Sequence, residues 1–184
     1  MTKIKKRKQR RKIFPRFTMA KIIFLTGILI FAVLYALFAP SGDVLKGTVT
    51  RVVDGDTIHV AVAGESRTVR LIGVDTPETV HPRKPVQFYG KEASDFTKKN
   101  LTGRTVWLEY DVAPKDRYNR HLAYVWLTRP GTGERAVREN MFNARLLLEG
   151  YGTVMTLQPN SKYAGLFTKF QQEARTGKKG LWKK

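Results

Sequence analysis

Asp54-Gly55-Asp56-Thr57, followed further along by Arg70-Leu71-Ile72-Gly73-Val74-Asp75-Thr76-Pro77-Glu78, decides how this chain is read. Between the two segments lie two apolar, partly alternating runs, residues 58–63 and 68–74, which read as β-strands. Paired strands bring distant residues side by side. Asp56, Asp75 and Glu78 can therefore converge at one end of a small sheet, with Arg70 close by. Three carboxylates call for a cation among them, and a hard metal ion suits such oxygen donors. A guanidinium beside them suits a phosphate. Metal and phosphate together point to phosphodiester chemistry. The bland alternative is purely structural: Asp-Gly is a common hairpin turn, Asp75 and Thr76 shape a second turn, and Glu78 is solvated.

The flanking sequence supplies the rest of a small barrel. Residues 47–53 alternate as a first strand, residues 58–63 form a second and residues 68–74 a third. Pro77, Pro82 and Pro85 make residues 76–87 a loop. Over residues 89–101, Ala93, Phe96, Thr97, Asn100 and Leu101 fall on one face at helical spacing, with Gly103 just past the end. Residues 105–110 and 120–127 read as strands four and five, and residues 128–134 as an exposed turn. A second helix is expected over 137–149, capped by Gly150, and a third over 163–176, with Trp182 folding back onto the core. Three strands, a helix, two strands and two helices give an α+β, mainly β class. The order matches an OB-fold, a five-stranded partly open Greek-key barrel with three helices.

Three segments carry a resemblance to a known family. Asp54-Gly55-Asp56-Thr57, Arg70 through Glu78, and Asp116-Arg117-Tyr118-Asn119-Arg120 stand in the order of the signature segments of staphylococcal nuclease, the thermonuclease family. The likeness extends through Pro77-Glu78-Thr79-Val80-His81-Pro82 and Tyr89-Gly90-Lys91-Glu92-Ala93, and covers roughly residues 45–182. It implies the same OB-fold and a Ca²⁺-dependent nuclease acting on DNA, RNA or both. By that resemblance Asp56 and Asp75 are carboxylate ligands of Ca²⁺, and Thr76 offers its backbone carbonyl. Glu78 is the water-activating base, and Arg70 and Arg120 clamp the scissile phosphate. Arg117 and Tyr118 match positions that contact a terminal phosphate, while Arg83 and Lys84 are loop cations that draw in the nucleic-acid backbone. The chain departs from the family at Met155 and Leu157, which stand where two tyrosines flank the bound nucleotide. The loop over 128–138 is also longer.

Charge is unevenly placed. The 184 residues carry 34 Lys and Arg against 15 Asp and Glu, a net charge of +19. Ten of those cations lie in residues 1–21, which contain no acid. Residues 22–38 then run without a charge and without a polar stripe, which reads as a helix spanning a bilayer rather than one packed on a core. Only Lys46 and Arg51 are basic between Ser41 and Val60. The positive-inside rule therefore expects a cytoplasmic N-terminus and an extracytoplasmic domain, in a single-pass membrane protein. The expected organisation is a basic tail over 1–21, a transmembrane helix or signal anchor over 22–40, a linker over 41–46 and the nuclease-like domain over 47–184. Ala39-Pro40-Ser41 also suits a cut before Gly42, which would release a secreted form.

The absence of cysteine excludes disulfides, thiolate metal sites and a cysteine nucleophile. His59, His81 and His121 are too scattered for a metal motif, and His59 is expected on a strand surface. No protein partner is implied and a monomer is expected. The rival reading is a non-catalytic, nucleic-acid-binding OB module at the cell surface. It is disfavoured because the acidic and arginine positions are all kept.

Overall fold

The two apolar runs beside Asp54-Gly55-Asp56 do pair, and the sheet they begin closes on itself. The structure is a computed structural model and describes Lys21 and residues 23–30, 44–79 and 87–183. Its elements in chain order are β1 (Val44–Asp54), β2 (Thr57–Val62), β3 (Glu65–Leu71), β4 (Gly73–Asp75), α1 (Gly90–Leu101), β5 (Thr105–Glu109), β6 (His121–Trp126), α2 (Gly133–Asn140), α3 (Phe142–Leu148), β7 (Thr153–Met155) and α4 (Ala164–Thr176). A 3₁₀ turn, Gly180–Trp182, follows.

Five strands form a closed barrel in the order β1-β2-β3-β6-β5, and β4 pairs with β7 in a separate two-stranded sheet. The fold is thus α+β, an OB-like five-stranded barrel with helices. Period-2 alternation sends Ile58, Val60 and Val62 of β2, with Val69 and Leu71 of β3, into the barrel. Outward-facing Thr57, His59, Thr68 and Arg70 line a cleft. The helices cover the barrel with buried Leu101, Phe142, Leu146, Phe167 and Phe170. Buried Glu109 accepts bonds from Trp126 Nε1 (2.7 Å), Tyr163 Oη (3.0 Å) and Lys162 Nζ (2.5 Å), tying the start of α4 to the barrel wall.

Three elements differ from their sequence-based expectation. β1 begins at Val44 rather than Gly47, because Val44, Leu45 and Lys46 pair with Glu109, Leu108 and Trp107 of β5. The third strand, expected to run through Val74, breaks at Ile72. Its carbonyl accepts a bond from the Asn143 side chain (2.8 Å) and its N–H bonds to Ala123 (3.0 Å). Gly73 follows at φ +79°, where a Cβ would collide with the Phe167 ring. The chain thereby leaves the barrel and pairs with β7, Asp75 lying opposite Thr153. The helix expected over 137–149 is two helices, α2 starting earlier at Gly133. Met141 interrupts them in extended conformation (φ −95°, ψ 123°), buried and bridged to Trp126. Trp182 folds back as expected, half-buried beneath the Arg175 guanidinium 4.2 Å from its ring centre.

Residues Met1–Ser41 form a unit of their own, apart from Gly42–Lys184. Residues 23–30 are helical and exposed. The rest of the expected basic tail and of the expected membrane helix over 22–40 falls outside the described residues, except for helical Lys21. Among the described residues no helix is long and apolar enough to cross a membrane. His81, Arg83 and Lys84 also lie outside the described residues.

Candidate active site

The site is built on the β1–β2 turn, the exit of β3, and the segment after β4. Asp54 and Asp56 bracket Gly55, whose carbonyl accepts a bond from Thr97 Oγ1 of α1 (2.7 Å). Buried Asp56 turns toward the end of β4. Its Oδ2 accepts the Thr76 N–H (2.8 Å) and Thr76 Oγ1 (3.0 Å), and its Oδ1 accepts Thr57 Oγ1 (3.1 Å). The backbone at Thr76 is therefore held to the β1–β2 turn by a side chain twenty residues earlier.

Arg70 lies between the aspartates. It is 5% exposed, which matters because a buried guanidinium must be fully partnered. It donates to the carbonyls of Leu71 (3.1 Å) and Val74 (2.7 Å) and to Asp75 Oδ1 (2.7 Å), with Asp56 Oδ2 at 3.2 Å. The turn at Ile72 makes this possible, since it folds Val74 and Asp75 back over the Arg70 side chain.

Glu78 lines the same cleft, and its backbone is fixed on both sides. Its N–H donates to Gln87 Oε1 (2.9 Å), and its carbonyl accepts the Gln87 N–H (3.0 Å). Asp54 adds a second hold: its carboxylate accepts Thr79 Oγ1 (2.8 Å), the Thr79 N–H (3.2 Å) and the Gly55 N–H (2.8 Å). Burial pushes the Asp54 carboxyl up to about 6, and its hydrogen bond with Glu78 adds to the rise.

The third segment delivers Arg120. Asn119 sits at φ +61°, a conformation asparagine tolerates, and so turns the chain tightly around Asp116. Asp116 accepts the N–H groups of Tyr118 and Arg120 (both 2.9 Å) and Arg120 Nε (2.7 Å). Burial opposes ionisation of Asp116, but these bonds from Arg120 and Tyr118 hold its carboxyl below the usual range. Arg117 donates to Tyr118 Oη (2.7 Å).

The structure thus brings Asp56, Arg70, Asp75, Thr76, Glu78 and Arg120 onto one cleft of about 560 Å³. Arg117 and Tyr118 are exposed, bonded to each other, and do not line it. Sequence reasoning passed over Asp54, taken as a turn residue, and His59, placed on a strand surface. Both line the cleft, with Val53, Thr57, Thr68 and Met155. Period-2 spacing from Thr57 was the available signal for His59.

Among the described residues no three His, Cys, Asp or Glu side chains close on one point as a ready-made metal cage. The donor chemistry nevertheless fits a hard cation. Half the Asp75 side chain is open to solvent, yet burial of its carboxyl raises its pKa. Asp56 and Glu78 raise it further against the opposing pull of Arg70. Carboxylates outnumber cations along this cleft, and the donors that Asp56, Asp75 and the Thr76 backbone offer are all oxygen.

Comparison with known proteins agrees with this geometry. A family described as "Staphylococcal nuclease homologue" matches residues 68–184, more than half of the chain. A thermonuclease from Staphylococcus hyicus is 50% identical over 134 residues, 73% of this chain and 73% of its own length. One from Staphylococcus intermedius is 49% identical over 136 residues, 74% and 75% of the two chains. The SPbeta prophage-derived endonuclease YokF of Bacillus subtilis (strain 168) is 37% identical over 143 residues, 77% of this chain and 45% of that protein. The barrel, the three motif segments and these similarities have one reading, and the chain belongs to the staphylococcal nuclease family.

Proposed function

We propose that the cleft hydrolyses phosphodiester bonds of DNA, RNA or both with the help of Ca²⁺. That the chain is a nuclease rests on its family and on relatives named thermonuclease and endonuclease. The observation that carries the finer reading is the gathering of Asp56, Arg70, Asp75, Thr76, Glu78 and Arg120 on one cleft. Asp56 and Asp75 would hold the ion through carboxylates, and Thr76 through its backbone carbonyl. When bound, such an ion polarises a phosphoryl oxygen and offsets its developing charge. Arg70 is fixed by the Leu71 and Val74 carbonyls before any substrate arrives, so little reorganisation is needed for it to meet a phosphate. Arg120 supplies the second guanidinium from the opposite segment. Glu78 positions a water in line with the phosphorus and accepts its proton as the new P–O bond forms and the ester P–O bond breaks. One copy of the chain holds every one of these groups, which supports action as a monomer.

Cleavage of single-stranded DNA with Ca²⁺, and then with excess chelator, tests the metal. Full activity in chelator would remove it from the mechanism. Glu78→Gln and Arg120→Ala test the roles, each expected to lower turnover by roughly 10²-fold or more while the fold persists. Near wild-type cleavage in both would overturn the assignment. The asymmetry of basic residues around residues 22–40 supports a location at the cell membrane, with the N-terminus in the cytoplasm and the nuclease domain outside.

A further inference from the structure

Arg70 lies in one transverse row of the barrel's outer face, and the next row of the same sheet has no role in the chemistry above. Thr57 of β2 lies opposite Arg70 of β3, and two residues further along the ribbon His59 lies opposite Thr68. On the other side His59 lies opposite Arg51 of β1. Directly paired residues of antiparallel strands share a face. Arg51, His59 and Thr68 therefore form a transverse row across three strands, parallel to the Thr57–Arg70 row. His59 and Thr68 line the same cleft as the catalytic groups.

The row is ordered. Thr68 Oγ1 lies 3.3 Å from His59 Nδ1, and Thr50 Oγ1 donates to the His59 carbonyl (3.3 Å). This occupies Nδ1 and leaves Nε2 for a ligand. Arg51 is exposed, and among the described residues its side chain forms no ion pair or hydrogen bond. Two residues along a strand advance about 6.7 Å. That step is close to the separation of neighbouring phosphates in an extended strand. A cation, an imidazole and a hydroxyl one such step from the catalytic arginine match the next phosphate of a bound strand. The row beyond, Thr48–Ala61–Ser66, has small side chains that leave the path open.

We propose that Arg51, His59 and Thr68 form a subsite for the phosphate adjacent to the scissile one, directing a single strand along the β1-β2-β3 face. The proposal rests on the nuclease reading of the cleft and adds the direction in which substrate leaves it. Single-stranded binders commonly track a backbone along such a face with spaced cations.

The test compares thymidylyl-thymidine, which has one phosphate, with a short oligothymidylate. Arg51→Ala and His59→Ala should raise KM for the oligothymidylate by roughly five- to tenfold, the worth of one charge-assisted phosphate contact. Its kcat should hold, because the contact is equal in ground and transition states. For the one-phosphate substrate KM should move by less than about twofold, since the contact does not exist there. Binding of labelled oligothymidylate in chelator provides a readout independent of cleavage. Arg51→Ala should lower the slope of log affinity against log salt by about 0.7, the share of one single-strand phosphate contact, and Arg51→Lys should restore it. Equal KM changes on both substrates, or an unchanged salt slope in folded Arg51→Ala, would overturn the subsite. Loss of Ca²⁺-dependent cleavage in the wild type would instead count against the metal reading, and the binding arm would still decide the subsite.

Discussion

Asp116 acts on the site through Arg120, gripping both its backbone N–H and its Nε. Asp116→Asn keeps an acceptor for the N–H groups but loses the charged grip on the guanidinium. We expect cleavage to fall by roughly tenfold, less than for Arg120→Ala. The double variant should be no slower than Arg120→Ala alone, a non-additivity that a double-mutant cycle measures directly. Gly55 is constrained from the other side. A Cβ there would come within 2.6 Å of Thr76 Oγ1 and 2.8 Å of Thr76 Cβ. Thr76 is pinned by Asp56 and has no room to yield. Gly55→Ala should cost about 1–3 kcal/mol in denaturant unfolding and reduce cleavage at the same time, because the strain falls on the proposed metal site. Unchanged cleavage would mean that Thr76 has slack the hydrogen bonds do not suggest.

Among the elements, α3 is the piece that sets the exit of β3. Fully buried Asn143 donates to the Ile72 carbonyl (2.8 Å) and accepts the Val125 N–H (2.8 Å), bridging the turn and β6. Asn143→Ala strands both backbone groups and should destabilise the protein by about 2–4 kcal/mol, measured by urea unfolding. Activity should fall beyond the folded fraction, because the turn at Ile72 also places Asp75. At the start of β6, His121 sits beside Tyr110 Oη, 3.0 Å from its Nδ1. Burial, with Lys115 and Arg67 nearby, lowers its pKa below the ordinary 6.5. The unfolded chain then binds a proton more readily than the folded one, so this contribution to stability is complete above about pH 6.5 and is lost as pH falls through the lowered value. Between pH 7 and 5 the denaturant midpoint of His121→Gln should fall less than that of the wild type. Equal slopes would show that other groups govern the acid limb.

For the whole molecule, the telling feature is the distribution of charge. Ten basic residues in 1–21 stand on one side of an uncharged run, and a domain that is also net basic stands on the other. If the N-terminus is cytoplasmic, protease added to intact cells removes the domain and spares an epitope placed on the tail. A domain that resists until lysis would reverse the orientation. The excess of positive charge on the domain should make nucleic-acid affinity strongly salt-dependent whatever the base sequence.

Much of this protein was legible without a fold. Alternation at Ile58, Val60, Val69 and Leu71 marked core strands, helical spacing marked α1 and α4, and the three motif segments marked the residues that meet in the cleft. These are local patterns, and side-chain periodicity reports which face of an element is buried regardless of its neighbours. Tertiary structure alone decided the break at Ile72, the interruption at Met141, the hold of Asp54 on the Glu78 segment and the row Arg51–His59–Thr68. Each depends on a partner far along the chain: Asn143 for Ile72, Trp126 for Met141, Thr79 for Asp54, and strand register for the row. Periodicity carries no information about register or about which buried polar group meets which backbone carbonyl. Those are settled only when closure of the barrel forces every buried donor and acceptor to find a partner.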